Sequence, residues 1–221
     1  MTKKKRRLRI GIFDSGLGGL DVLRFVMRAL PQYDYVYLGD TARAPYGHRS
    51  QKTIYLFTEQ AVRFLFQQEC GIVIIACNTS SSEALRKIQQ KYLKGANSDK
   101  KILGVLIPAA EDAIQKTTSR RIGVIATTAT VASGAFVREL VKLDPGVKVF
   151  QKACPLLVPL VEAGEQNTQK MQIALEKYLR PFTRRNIDTL ILGCTHYGIL
   201  EKIIRKVIGS NIEIISEAKI V

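Results

Sequence analysis

The sequence predicts an α/β protein made of two pseudo-symmetric three-layer domains, each with a mostly parallel sheet, and an active site in the cleft between them. Two segments carry most of this expectation. Ile72-Val73-Ile74-Ile75-Ala76-Cys77-Asn78-Thr79 and Leu190-Ile191-Leu192-Gly193-Cys194-Thr195-His196 read almost as copies: an apolar run, a small residue, a cysteine, then hydroxyl or amide side chains. Continuous apolar runs of this length suit strands buried on both faces, as in parallel sheets. Strand and helix patterns also alternate along the whole chain and restart after the polar stretch 94–101, which implies two successive units with helices on both faces of each sheet.

Residues 10–13 form the first expected strand, and Asp14-Ser15-Gly16-Leu17-Gly18-Gly19 a glycine-rich turn into an amphipathic helix that ends before Pro31. Closely spaced glycines let the backbone approach a ligand, and a helix start offers free N–H groups to an anion. Asp21 stands where a dinucleotide fingerprint needs its third glycine, and the Gly-Lys-Ser/Thr of a P-loop is missing, so a carboxylate is favoured over a nucleotide. Residues 34–38 are the second strand, and the loop 39–47, with Pro45-Tyr46-Gly47, suits a pocket wall or a plain turn. Ile54, Phe57, Ala61, Phe64 and Leu65 recur at helical spacing up to Cys70-Gly71, where Cys70 reads as structural. A helix over 80–92 follows the Cys77 strand.

The second unit is expected to open with a strand at 102–107, then a helix at 109–116, a strand at 121–126 and a helix from Thr127 through Leu143. Residues 147–150 are the next strand. Pro155 and Pro159 restrict 154–164 to a short or kinked helix, and 166–179 is a longer one. The Cys194 strand, a helix over 197–208 and a last strand at 212–215 complete the chain. The expected domains are 1–98 and 99–209, with 210–221 returning to the first.

With 221 residues and 46% hydrophobic content, the chain can bury a full core. No apolar run approaches the roughly 18 residues of a membrane span. The basic opening Lys3-Lys4-Lys5-Arg6-Arg7 leads into a segment holding Asp14 and four glycines rather than a signal peptide, so a cytoplasmic protein without a membrane partner is expected. Cys70, Cys77, Cys154 and Cys194 lie far apart without CxxC spacing, and there are two histidines, which points to free thiols rather than disulfides or a metal site. A formal charge of +15 permits attraction to nucleic acid, but the basic residues are scattered and no nucleic-acid motif appears. A solvated surface without a nucleic-acid partner is the expectation.

Open α/β sheets bind ligands beyond their strand ends, so cysteines at equivalent ends of two similar units would flank one molecule. A buried free cysteine taken singly is ordinary packing; the repeated polar context argues for a shared site. Only the thiolate is a good base or nucleophile, and a helix start is expected to lower its pKa. The wide separation of Cys77 and Cys194 favours two acid/base groups over a redox pair, one removing a proton from one face of a carbon and the other returning one to the opposite face. Thr79, Ser80, Thr195 and His196 offer donors to a carboxylate, and Glu162 stands out as a carboxylate at the end of the proline-punctuated segment.

Five motifs resemble the glutamate racemase family in order and spacing: Gly11-Ile12-Phe13-Asp14-Ser15-Gly16-Leu17-Gly18-Gly19; Gly39-Asp40-Thr41 with Pro45-Tyr46-Gly47; Ala76-Cys77-Asn78-Thr79; Ala153-Cys154-Pro155 with Val161-Glu162-Ala163-Gly164; and Leu192-Gly193-Cys194-Thr195-His196-Tyr197. The resemblance implies interconversion of L- and D-glutamate without a cofactor or metal, supplying D-glutamate for peptidoglycan, in a homodimer. It implies Cys77 and Cys194 as the catalytic acid/base pair, assisted by Asp14, His196 and Glu162. Asp14, Ser15, Pro45, Tyr46, Gly47, Asn78, Thr79, Thr195 and His196 match substrate-contacting positions, and Thr127 and Thr130 match a threonine pair. Phe136, Gly198 and Glu217 depart from it, standing where tyrosine, proline and glycine are usual, and family members continue beyond the last strand. An aspartate racemase of the same superfamily and a basic non-catalytic binding protein on this scaffold are the rival readings.

Overall fold

The computed structural model describes residues 8–219. The first sheet holds β1 (Arg9–Asp14), β2 (Asp34–Gly39), β3 (Cys70–Ile75) and β4 (Lys101–Gly104) in the order β2-β1-β3-β4, all parallel. The second holds β5 (Arg121–Ala126), β6 (Lys148–Ala153), β7 (Thr189–Gly193) and β8 (Glu213–Ser216) in the order β6-β5-β7-β8, again all parallel. The two orders are the same pattern, so β3 and β7, which lead into Cys77 and Cys194, are structural equivalents.

Helices cover both faces of each sheet, because successive strand residues point to opposite sides and both sides are apolar. On one face of the first sheet, Ile10, Ile12 and Ile74 pack with Val22 and Val26 of α1 (Leu20–Ala29). On the other, Phe13, Val73 and Ile75 pack with Ile54, Val62 and Leu65 of α2 (Gln51–Gln67), which Ser50 caps by accepting from Thr53 N. In the second unit, Val124 and Ile191 meet Ala109 and Ala113 of α5 (Leu106–Lys116), while Ile125, Leu190 and Leu192 meet Met171, Leu175 and Leu179 of α9 (Gln169–Thr183). Each fully buried aliphatic side chain contributes about 1.5–3 kcal/mol, which makes these four layers the main stabilising term. No helix among the described residues is long and apolar enough to cross a membrane.

Several elements differ from the sequence expectation. The strand expected to open the second unit, β4, pairs with β3 and closes the first sheet. The polar stretch before it, which holds a short 3₁₀ turn (Gly95–Asn97), is therefore a connection within one unit. A parallel neighbour needs a crossover of a dozen or more residues, and the helices between β3 and β4 supply it. The last strand, β8, pairs with β7 rather than returning to the first sheet; only the 3₁₀ turn after it (Glu217–Lys219) packs against α1.

The expected helix over 80–92 is two, α3 (Asn78–Glu83) and α4 (Leu85–Tyr92), and that from Thr127 to Leu143 is likewise two, α6 (Thr128–Ser133) and α7 (Ala135–Leu143). Gly134, at φ +63°, breaks the second pair in a conformation that favours glycine. The helix over 166–179 runs on through Pro181 to Thr183. The segment 154–164 contributes the short helix α8 (Leu157–Glu162), and the helix expected over 197–208 begins as a 3₁₀ helix (Thr195–Leu200) before α10 (Glu201–Ile208).

Candidate active site

The shared strand order puts a topological switch point between β1 and β3 in one unit and between β5 and β7 in the other, and ligands bind at such points beyond the carboxyl ends of the strands. Asp14 ends β1 and Ser15 follows it, Cys77 and Asn78 follow β3, Thr127 follows β5, and Cys194 and Thr195 follow β7. The two switch points face each other. Together they line one cavity, whose wall includes Ser15, Pro45, Tyr46, Gly47, Cys77, Asn78, Thr79, Thr127, Cys194 and Thr195.

Hydrogen bonds beside the cleft help hold the halves together. Thr79 Oγ1 lies 2.9 Å from Thr127 Oγ1 and 3.3 Å from Thr130 Oγ1, and the last two are 3.0 Å apart, so the facing helices α3 and α6 share a hydroxyl triangle. Thr195 Oγ1 donates to Asp14 Oδ1 at 3.2 Å. The backbone N–H of Ala129 donates to Gly47 O at 2.9 Å. Two glycines permit this approach: a Cβ on Gly18 would lie 2.6 Å from Thr195 Oγ1, and one on Gly47 2.6 Å from Thr127 Cβ. Their freedom serves the docking of one unit on the other. The glycine-rich turn suggests close approach by a ligand; at Gly18 the close neighbour is protein.

Around the first cysteine, Cys77 Sγ donates to Ser15 Oγ at 3.4 Å, and Gly16 N donates to Asp14 Oδ2 at 3.0 Å. Around the second, Cys194 Sγ is 3.8 Å from His196 Nδ1, whose ring also presents Nε2 to Glu162 Oε1 at 2.5 Å. Glu162 sits at the exposed end of α8 and reaches inward to this buried histidine. Tyr46 is held by a hydrogen bond to Asp40, which also accepts from Arg43 Nε at 2.7 Å, so the loop after β2 is a fixed wall.

Burial dominates the electrostatics. It pushes the Asp14 carboxyl above its usual range, against the opposing pull of His196 and of the Gly16 and Gly19 N–H groups. Burial and then the charge of Asp14 push the Cys77 thiol up, while Ser15 and Ser80 favour its thiolate. The Cys194 thiol is pushed well up by burial, opposed by the His196 N–H and reinforced by Cys77, Asp14 and Glu217. The expectation that helix starts would lower these pKa values is thus overturned: a short helix and a 3₁₀ helix give only a few N–H groups, and desolvation in the cleft outweighs them.

Of the residues singled out from sequence, Asp14, His196, Glu162 and Thr130 do not line the cavity; Asp14, His196 and Thr130 contact residues that do. His196 makes this contact itself, and Glu162 reaches the wall through it. His48, Thr128, Cys154, Pro155, Val158 and Pro159 also line the cavity and went unassigned in sequence. The prolines of the 154–164 segment were read only as helix breakers, although they form an apolar rim beside the polar donors. Tyr37, whose hydroxyl donates to Gly16 O at 2.8 Å, carried no sequence signal. Glu217 is visible in the sequence only as a departure from the resemblance; its Oε2 accepts a hydrogen bond from Asn78 Nδ2.

Comparison with known proteins agrees with this geometry. Residues 19–221 match the profile of the Asp/Glu/Hydantoin racemase family. The chain is 45% identical over 212 residues to the glutamate racemase of Chlorobaculum tepidum, covering 96% of this chain and 76% of that protein. It is similar to the crystal structure of glutamate racemase isoform RacE1 from Bacillus anthracis, with a TM-score of 0.90 at 38% identity over 96% of this chain and 78% of that one. It is also similar to the glutamate racemase of Francisella tularensis in complex with D-glutamate, with a TM-score of 0.88 at 35% identity over 96% and 77% of the two chains.

Proposed function

The chain belongs to the Asp/Glu/Hydantoin racemase family, and we propose that it is a glutamate racemase in which Cys77 and Cys194 act as the two bases. The observation that carries this reading is the convergence of both cysteines, from equivalent strand ends of two units, on one cavity. In the proposed reaction the thiolate of one cysteine removes the α-proton of glutamate. The thiol of the other then delivers a proton to the opposite face, so the configuration inverts and the thiol and thiolate exchange roles.

Both thiols are held protonated by burial, so one must lose its proton as substrate enters. The α-ammonium of glutamate favours a nearby thiolate by Coulomb attraction. His196, within 3.8 Å of Cys194 Sγ and braced by Glu162, is suited to steady the second thiol, and Asp14 to act from the Cys77 side. Ser15, Asn78, Thr79 and Thr195 line the same space, and hydroxyl and amide groups of this kind suit a carboxylate and the enolate-like charge of the transition state. D-Glutamate made this way would supply peptidoglycan synthesis, and a homodimer belongs to the same reading.

The test is solvent deuterium incorporation into L- and D-glutamate by purified protein with no cofactor added. Wild type is expected to label both enantiomers at the α-carbon and racemise them. Cys77→Ser and Cys194→Ser should each abolish racemisation while staying folded, and each retains α-proton exchange on one enantiomer only, because one base survives. Full racemisation by either variant overturns the two-base assignment, and turnover of aspartate alone overturns the substrate.

A further inference from the structure

The 3₁₀ turn that follows β8 carries a carboxyl group into the interior. Glu217 is 3% exposed, and its Oε2 accepts a hydrogen bond from Nδ2 of Asn78, itself 2% exposed and next in sequence to Cys77. The bond joins the edge strand of the second sheet to the cysteine strand end of the first, across 139 positions of sequence. The turn is anchored from the far side as well, since Ala218 packs with Val22 and Val26 of α1. Two further atoms are buried without a partner among the described residues, Asn78 Oδ1 and Glu217 Oε1. Buried oxygens of this kind cost free energy unless matched, so their occurrence in one hydrogen-bonded pair of side chains calls for a reason.

Resting on the racemase reading above, we infer that Glu217 is a positioning residue for the substrate cleft, fixing the Asn78 carboxamide by holding one of its two N–H groups. Asn78 lines the cavity whereas Glu217 does not, so Glu217 acts through Asn78 and not on substrate. An unrestrained asparagine turns freely about χ2, with its oxygen and nitrogen exchanging places. With one N–H committed to Glu217, the amide keeps its nitrogen on one side and presents its remaining N–H as a donor for the carboxylate of the substrate. Burial, opposed by the hydrogen bond from Asn78 and reinforced by the charge of Asp14, pushes the Glu217 carboxyl well above its ordinary range, which favours the protonated form. A proton on Oε1 suits the unpartnered Asn78 Oδ1, which would match acid and amide edge to edge. The neutral form also spares the cleft another negative charge beside Asp14 and Cys194.

The test uses Glu217→Gln, which keeps a neutral acceptor, and Glu217→Met, which keeps the volume but has no oxygen. In Glu217→Met the KM for glutamate is expected to rise about fivefold, the worth of one hydrogen bond, with kcat little changed, while Glu217→Gln stays close to wild type. In an Asn78→Ala background, Glu217→Met should add nothing further. The Asn78 side-chain amide resonance in a ¹⁵N correlation spectrum gives a readout that needs no turnover: its slowly exchanging proton should persist in wild type and Glu217→Gln and be lost in Glu217→Met. A protein inactive on glutamate overturns the racemase reading, yet the amide signal would still decide whether Glu217 holds Asn78. An unchanged signal and KM in Glu217→Met, or additive effects with Asn78→Ala, would overturn the inference.

Discussion

Gly18→Ala is expected to cut racemisation about a hundredfold while leaving the protein folded. Gly18 lies in the turn after β1, and a Cβ there would sit 2.6 Å from Thr195 Oγ1, 2.9 Å from Thr195 Cβ and 3.1 Å from the backbone N of His196. Ordinary contact between such atoms begins at about 3.5 Å, so the segment that carries Cys194 must retreat by about 1 Å. A rotamer change cannot absorb this, because one of the three neighbours is backbone and Thr195 Oγ1 is tied to Asp14 at 3.2 Å. Displacing catalytic groups by about 1 Å costs on the order of a hundredfold, equivalent to about 2.7 kcal/mol in the barrier. Overpacking of this kind lowers stability by about 1–3 kcal/mol, which thermal melting followed by circular dichroism will register as a modest drop.

The assay is kcat/KM from polarimetric progress curves in both directions. Gly71→Ala is the control, since its added Cβ meets only the exposed Leu8 side chain, far from the cleft. A Gly18→Ala enzyme within about threefold of wild type would refute the claim that this close approach sets the cysteine geometry.

Other consequences follow from the buried charges and hydroxyls. Asp14 raises the pKa of both Cys77 and Cys194, so Asp14→Asn should move the acid limb of the kcat/KM profile to lower pH even as the maximal rate falls; a shift to higher pH would count against the assignment. Burial holds the Glu217 carboxyl well above 4.5. The folded state therefore keeps a proton that the unfolded chain releases near the ordinary value, and this contribution to stability is present at acid pH and lost as pH rises through the raised native pKa. Glu217→Gln should make urea-unfolding stability decline less steeply over that window, and an unchanged slope would argue that the carboxyl titrates normally. Thr130→Val removes the corner of the hydroxyl triangle shared with Thr79 and Thr127; a loss of about 1–2 kcal/mol is expected from denaturant midpoints, and no loss would mean that the triangle does not join the halves.

Which features were legible in the sequence depends on the range of the physics behind them. The runs ending at Cys77 and Cys194 are local signals: continuous apolar strands followed by a small residue and polar groups specify buried parallel strands with chemistry at their ends, wherever the rest of the chain goes. The repetition of that signal was enough to suggest one cleft with two thiols. Helix limits were less legible: Gly134 divides a stretch that reads as one helix, whereas the helix-interior Pro181 yields to the packing around it.

Tertiary structure alone decided the pairing of β4 with β3 and of β8 with β7, since a parallel ladder joins strands distant in sequence and leaves no local mark. It decided that Gly18 and Gly47 are small for the sake of the facing unit. It brought Thr195 to Asp14 across 181 positions and Glu217 to Asn78 across 139. The protonation of the thiols belongs to the same class: a cysteine at a helix start reads as activated in sequence, but desolvation depends on everything packed around it, and here it prevails over the nearby N–H groups.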